Sequence, residues 1–340
     1  MEKVSVIGAG SWGTAIAFVL AENGHDCLLW TRRAEQSAEI NEKHTNAAYL
    51  PGIALPENLK ATSDLKAAVQ HADSIVIAVP TKAIRALSSE LNQLADKSKL
   101  IIHVSKGIEP DTLKRISEVI EEEVSPEKRS AIVALSGPSH AEEVVLRHPT
   151  TITAASFDRE AAEHVQDLFM NDQYFRVYTN DDLIGVELGA ALKNVIALAA
   201  GITDGIGYGD NAKAALITRG LAEITRLGVK MGANPLTFSG LTGLGDLIVT
   251  CTSVHSRNWK AGNLLGQGKS LDEIVSGMGM VIEGVRTTKA AYQLSLRYDV
   301  SMPLTEALYS VLFDNIPPKE AVDQLMSRMK KQEIEDIYFK

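Results

Sequence analysis

Lys193 stands in an apolar stretch, residues 188–202, with Leu192, Val195 and Ile196 close by in sequence. A lysine so placed is expected to be buried. Desolvation lowers an ammonium's pKa towards neutrality and makes it a usable acid or base. A carbonyl that receives hydride needs a proton on its oxygen. Lys193 is the group expected to donate it, and to take it back in the oxidative direction. The plainer reading is a lysine snorkelling from a half-exposed face. Asn194, next to it, can hold a ligand or cap backbone. Asp246 ends the glycine-dense run Gly240-Leu241-Thr242-Gly243-Leu244-Gly245 and suits the orienting of such an ammonium, or the capping of a turn. Ser256-Arg257-Asn258 gathers a hydroxyl, a guanidinium and an amide. Arg257 is planar and permanently charged, so it can grip a phosphate bidentately. Ser256 and Asn258 can complete the oxygen contacts, although a polar loop between helices would look the same.

A second group sits near the N-terminus. Gly8-Ala9-Gly10-Ser11-Trp12-Gly13 follows a short apolar run, residues 4–7, and opens a helical stretch over 12–22. In that context Gly8 permits a tight turn, Gly10 lets backbone approach a pyrophosphate, and Gly13 lets helix and strand pack closely. The helix N-terminus adds free N–H groups and a positive dipole. After the next strand, an NAD-specific site would place a carboxylate for the ribose 2′-hydroxyl. The chain has Thr31-Arg32-Arg33 instead. Two guanidinium groups suit a 2′-phosphate, which favours NADPH over NADH. Arginines opening a solvated helix are the alternative.

Lys106, in Val104-Ser105-Lys106-Gly107, lies at a strand's carboxyl end, where ligands of such sheets bind. In Ser136-Gly137-Pro138-Ser139-His140-Ala141-Glu142 the small residues admit a ligand to the backbone, and the Ser139 hydroxyl can donate or accept. His140 invites an acid–base role, but a loop or core histidine is the better reading. Glu283 could reach a cofactor hydroxyl, yet as a helix-start acid it needs no further role.

The elements that must position these groups change character along the chain. Apolar runs at 4–7, 26–31, 74–79, 100–104, 131–135 and 150–154 alternate with helical stretches, for instance 82–94 and 111–123, with 174–178 as a candidate last strand. This predicts an α/β fold with a doubly wound, mainly parallel sheet. After Tyr178 long helical patterns take over. The expected organisation is a dinucleotide-binding domain over 1–178 and an all-helical substrate domain over 179–340. A net charge of −9 argues against a general nucleic-acid binder and means that an anionic substrate needs a local cationic pocket. Cys27 and Cys251 form no CxxC pair, no metal-ligand spacing occurs, and a reducing cytoplasm fits. No leader or membrane span is expected, the apolar stretch around Lys193 reading as a buried core helix.

Taken together, Gly8-Ala-Gly-Ser-Trp-Gly-Thr-Ala15, Val-Ser-Lys106-Gly, Ser-Gly137-Pro-Ser139-His-Ala-Glu, Leu-Lys193-Asn194, Gly-Leu-Gly-Asp246-Leu and Ser256-Arg257-Asn258 strongly resemble bacterial NAD(P)-dependent glycerol-3-phosphate dehydrogenase, in order and spacing. The resemblance implies a Rossmann-type N-terminal domain, an all-helical C-terminal domain and an active site between them. It implies Ser11, Trp12, Arg32, Arg33, Lys106, Ala141, Arg257, Val281 and Glu283 at the cofactor. Around the substrate it implies Lys106, Gly137, Ser139, Lys193, Asp246, Ser256, Arg257 and Asn258, with Lys193 as the proton acceptor of the oxidative direction. The implied reaction is NADPH- or NADH-dependent reduction of dihydroxyacetone phosphate to sn-glycerol 3-phosphate for phospholipid synthesis, in the cytoplasm. No metal is needed, because cationic side chains already polarise the carbonyl. The expected partner is the small-molecule substrate, with no nucleic acid and no membrane, and a homodimer is left open. Two alternatives share part of this pattern: a β-hydroxyacid dehydrogenase of the phosphogluconate type, acting on a carboxylate, and a dinucleotide-sensing protein without turnover. The latter has no need of Lys193, Asp246 and Arg257 together.

Overall fold

The computed structural model describes residues 1–278, 282–330 and 332–333. The chain divides into two compact units, Met1–Ser105 with Ile116–Leu183, and Lys106–Arg115 with Ile184–Lys340. The division falls at 183/184, within about five residues of the expected 178. It also assigns Lys106–Arg115 to the second unit, which the sequence pattern does not separate.

The first unit is built on strands β1 (Lys3–Ile7), β2 (Asp26–Trp30), β3 (Lys60–Thr62), β4 (Ser74–Ile77), β5 (Lys99–His103), β6 (Arg129–Ser136), β7 (Thr150–Ala155) and β8 (Phe175–Asn180). They form one sheet in the order β3-β2-β1-β4-β5-β6-β7-β8. Pairing is parallel except between β6 and β7. Helices α1 (Ser11–Glu22), α2 (Ala34–Lys43), α3 (Leu65–His71), α4 (Ile84–Leu94), α5 (Ile116–Glu123), α6 (Ala141–Val145) and α7 (Arg159–Phe169) belong to this unit. A parallel sheet covered on both faces buries its strands on both faces. Accordingly all four residues of β4 and all five of β5 are buried. Strand order reverses between β1 and β4, the switch point at which such sheets bind ligands beyond their carboxyl ends.

The second unit holds α8 (Leu183–Ile206), α9 (Asp210–Lys230), α10 (Asp246–Thr252), α11 (Arg257–Gly266), α12 (Leu271–Met278), α13 (Glu283–Tyr298), α14 (Pro303–Phe313) and α15 (Pro318–Met326). Helix α8 is long and apolar enough to cross a membrane by length and composition, but 89% of its most apolar window is buried inside the protein. It is a core helix. Its Gly201 and Gly205 face Gly262 and Gly266 of α11. A Cβ at Gly201 would lie 2.1 Å from the Trp259 carbonyl oxygen, and one at Gly262 would lie 2.0 Å from that of Leu198. Backbone-to-backbone packing therefore brings α11 against the helix that carries Lys193.

Three local expectations fail. The stretch 111–123 is helical only from Ile116. Residues 106–115 form a short hairpin closed by an antiparallel bridge between Ile108 and Arg115, with Leu113 in the left-handed region at φ 62. Strand β3 was not foreseen, because Lys-Ala-Thr is too short and too mixed to signal a strand. Edge strands are commonly kept that short. The glycine-dense and polar runs around Asp246 and Arg257 also read as loops. Instead, one π-helical turn over Leu241–Gly245 leads straight into α10, and Ser256 caps α11.

Candidate active site

In the first unit the glycine run joins β1 to α1. Gly8 adopts φ +121, which only glycine takes readily, and a Cβ there would meet the Ala78 carbonyl oxygen at 2.5 Å. A Cβ on Gly13 would fall 1.8 Å from the carbonyl oxygen of Gly8. Gly10 is the N-cap of α1, has no side chain to satisfy the first-turn N–H groups, and faces open space. The buried Trp12 indole nitrogen, also in that first turn, lacks a protein partner. This combination of a backbone cradle, an uncapped helix N-terminus and an orphaned donor fits the diphosphate of a dinucleotide.

The loop is held by residues the sequence did not flag. Gln36 donates to the Ala9 carbonyl at 2.7 Å and to the Asn46 side chain at 3.0 Å. Asn46 in turn donates to Ala9 and to the Thr14 hydroxyl. Arg33 donates to Gln36 at 3.1 Å and lies over the Tyr49 ring, 5.6 Å from its centroid; Arg32 and Arg33 are both exposed. Ser11 donates to the Tyr49 carbonyl. Gly137, at φ +145, has no room for a Cβ beside Ile152. Ser139 donates to the Gly137 carbonyl, and Ala141 begins α6.

In the second unit, Lys193, Lys106 and Asp246 converge. Lys193 donates to Asp246 Oδ1 and, at 2.9 Å, to the Thr250 hydroxyl. Lys106 lies 3.0 Å from Asp246 Oδ2. Asp246 and Lys193 are buried. Burial pulls the Lys193 pKa down to about 7; Asp246 opposes that shift and the Lys106 charge reinforces it. Burial alone would raise the Asp246 carboxyl, but the two ammonium groups outweigh it and hold the carboxylate ionised. Thr250, one turn along α10 from Asp246, is a functional candidate the sequence reading missed. The i to i+4 spacing from the carboxylate was the available signal.

A chain of amides runs beside this cluster. Asn194 donates to the Lys106 carbonyl at 3.2 Å, Asn258 donates to Asn194 Oδ1 at 2.8 Å, and the Gly284 N–H donates to Asn258 Oδ1 at 2.9 Å. The oxygen and one N–H of Asn258 are thus already engaged, so the contact expected with a phosphate is left to its second N–H. Ser256 Oγ accepts from the Trp259 N–H as the cap of α11, which leaves its O–H to donate. Arg257 is exposed in the first turn of that helix, where cationic side chain and helix dipole both favour an anion. Glu283 opens α13, and Val281 lies outside the described residues.

Residues 3–162 match the family model for the N-terminus of NAD-dependent glycerol-3-phosphate dehydrogenase, and residues 182–323 the model for its C-terminus. The chain is 70% identical to glycerol-3-phosphate dehydrogenase [NAD(P)+] of Lysinibacillus sphaericus over 99% of both chains. It is 64% identical to the enzyme of that name in Bacillus subtilis, over 99% of this chain and 97% of the relative. The crystal structure of glycerol-3-phosphate dehydrogenase from Coxiella burnetii superposes with a TM-score of 0.90 at 38% identity, covering 96% of this chain and 99% of that one. These matches do not favour the carboxylate-substrate alternative. The chain belongs to the NAD-dependent glycerol-3-phosphate dehydrogenase family.

Proposed function

We propose that this protein reduces dihydroxyacetone phosphate to sn-glycerol 3-phosphate with NADPH, or with NADH less readily, and that Lys193 is the proton donor. The observation that carries this reading is the buried Lys193 ammonium held between Asp246 and Thr250 with its pKa near 7. The bound dinucleotide supplies the hydride. The glycine run and the α1 N-terminus take its diphosphate, and Arg33, with Arg32, takes the 2′-phosphate. Arg257 and the N-terminus of α11 grip the substrate phosphate, aided by the Ser256 O–H and the second N–H of Asn258. Holding the phosphate away from the reacting centre fixes the ketone's orientation. As charge develops on the C2 oxygen, Lys193 donates its proton there while Lys106 stabilises the negative charge. Asp246 holds both ammonium groups through opposite oxygens. The neutral amine left behind recovers a proton from solvent, which a pKa near 7 allows at physiological pH.

The buried thiols Cys27 and Cys251 are unpaired, which supports a cytoplasmic setting where the product feeds phospholipid synthesis. The test is nicotinamide oxidation followed by absorbance, with dihydroxyacetone phosphate and each cofactor in parallel. Rapid oxidation that is faster with NADPH is expected. Folded protein that binds NADPH but never oxidises it with this ketone would overturn the reading.

A further inference from the structure

The hairpin that carries Lys106 is held at both ends by one helix. At its start the Lys106 carbonyl accepts from Asn194 of α8. At its end Arg115 pairs with Glu187 of α8 at 2.6 Å, and both side chains are buried. Glu187 lies six positions before Lys193 on that helix. Between the ends, Ile108 and Leu113 pack into the second unit's core. The Ile108–Arg115 bridge and the Glu109 N–H to Lys114 carbonyl bond, 2.9 Å, tie the two legs together. A displacement of Arg115 therefore passes through Ile108 to Lys106, two residues away.

A buried ion pair is a costly way to gain stability, because apolar side chains of similar volume often do as well. Its advantage is direction and register. We propose that Arg115 and Glu187 form a positioning pair that sets the place of the Lys106 ammonium against Asp246, so that the hairpin and the lysine helix share one register. The pair touches neither substrate nor reacting atoms; it acts through Lys106. The inference rests on the role given to Lys106 above.

A double-mutant cycle tests it. Steady-state kinetics with dihydroxyacetone phosphate and NADPH are measured for wild type, Glu187→Gln, Arg115→Lys, Lys106→Ala and each pair variant combined with Lys106→Ala, with the melting temperature of every protein. Glu187→Gln is expected to lower kcat by about tenfold, and Arg115→Lys by less, because an ammonium keeps one contact. In the Lys106→Ala background the same substitutions should cost less than about twofold, since residues acting through a common partner are not additive. Equal losses in both backgrounds, or a lower melting temperature with kcat unchanged, would show a purely structural pair and overturn the proposal. If Glu187→Gln does not fold, Arg115→Lys carries the cycle. A Lys106→Ala protein as active as wild type would remove the role of Lys106 itself, and this inference with it. That outcome is distinct from additivity around a lysine that matters.

Discussion

At Gly13 a single methyl group would sit 1.8 Å from the carbonyl of Gly8, whereas at Asp246 a single buried carboxylate carries two ammonium groups. The first unit prepares for its ligand by leaving side chains out, so that backbone N–H groups and a helix dipole remain to be used. The second unit does so by burying charge and balancing it. The contrast separates two kinds of energetic work. On the proposed reading, the backbone cradle binds a diphosphate that does not change during the reaction. A desolvated ammonium responds to charge that appears only in the transition state, which is where rate enhancement has to come from. Substitutions in the first unit should therefore move cofactor affinity, and those around Asp246 should move turnover.

The sharpest way to break that contrast is Lys193→Met. Turnover should fall by about 10²–10⁴-fold, the range of a lost general acid, while NADPH affinity stays within about twofold. Asp246 keeps Lys106 as a partner, so the protein should remain folded. Stopped-flow turnover and fluorescence titration of NADPH check both halves, and a variant that loses cofactor binding instead would erase the division of labour. Next comes Arg257→Ala. Charge-assisted contacts to a phosphate are worth about 1.5–3 kcal/mol, so KM for the ketone phosphate should rise by about 10- to 100-fold, with a smaller change in kcat. A KM unchanged by the substitution would move the phosphate site elsewhere.

A smaller effect is expected at the arginines after β2. Both arginines are exposed, but Arg33 is held by Gln36 and the Tyr49 ring. Preorganisation reduces the entropy lost on binding. Arg33→Ala should thus cut the NADPH-over-NADH preference in kcat/KM by about tenfold, and Arg32→Ala by less. The reverse order would mean that Arg32, not the anchored Arg33, meets the 2′-phosphate. The pH profile sharpens the other side. With the Lys193 pKa at about 7, ketone reduction needs the protonated form and should slow as pH rises through 7. Alcohol oxidation needs the neutral amine and should accelerate over the same interval. Parallel profiles in the two directions would exclude Lys193 as the titrating group.

The two regions also differed in how far they could be read from sequence. Gly8, Gly10 and Gly13 are legible because the motif is contiguous and its context, strand then helix, is local. The burial of Lys193 is legible because a charge in an apolar run has few places to go. What the sequence could not disclose is assembled from distant segments. Gln36 and Asn46 hold the Ala9 carbonyl from 27 and 37 residues away, and nothing local marks either as special. Thr250 joins the cluster because α10 turns its hydroxyl towards Lys193, yet the glycines before Asp246 suggest a loop where a π-turn runs into a helix. Only residues 111–115 of the hairpin read as the start of α5, because their polar side chains suit a first helical turn. The left-handed Leu113 and the Ile108–Arg115 bridge, which prevent that, depend on packing into the second unit's core.

Buried charge in the second unit is not confined to the lysine cluster, and the smallest expected effect tests what burial does where no chemistry is performed. Glu223 of α9 is buried and accepts from the Leu304 N–H at 2.6 Å and from the N–H and hydroxyl of Thr305, capping α14 from a distance. Burial lifts its carboxyl from 4.5 to about 7, although those donors oppose the shift. Between these values the folded protein binds more protons than the unfolded chain, so stability should fall as pH rises from about 4.5 to about 7. Glu223→Gln keeps an acceptor for the helix end but cannot ionise. Its melting temperature should be flatter across that interval, and the gap between the two proteins should change by about 3 °C from one end to the other. Calorimetry at several pH values, with turnover measured alongside, provides the check. An unaltered pH slope would trace the titration to another group. A changed kcat would mean that this carboxylate belongs to the reaction after all, and that burial in this unit cannot be divided into catalytic and structural parts.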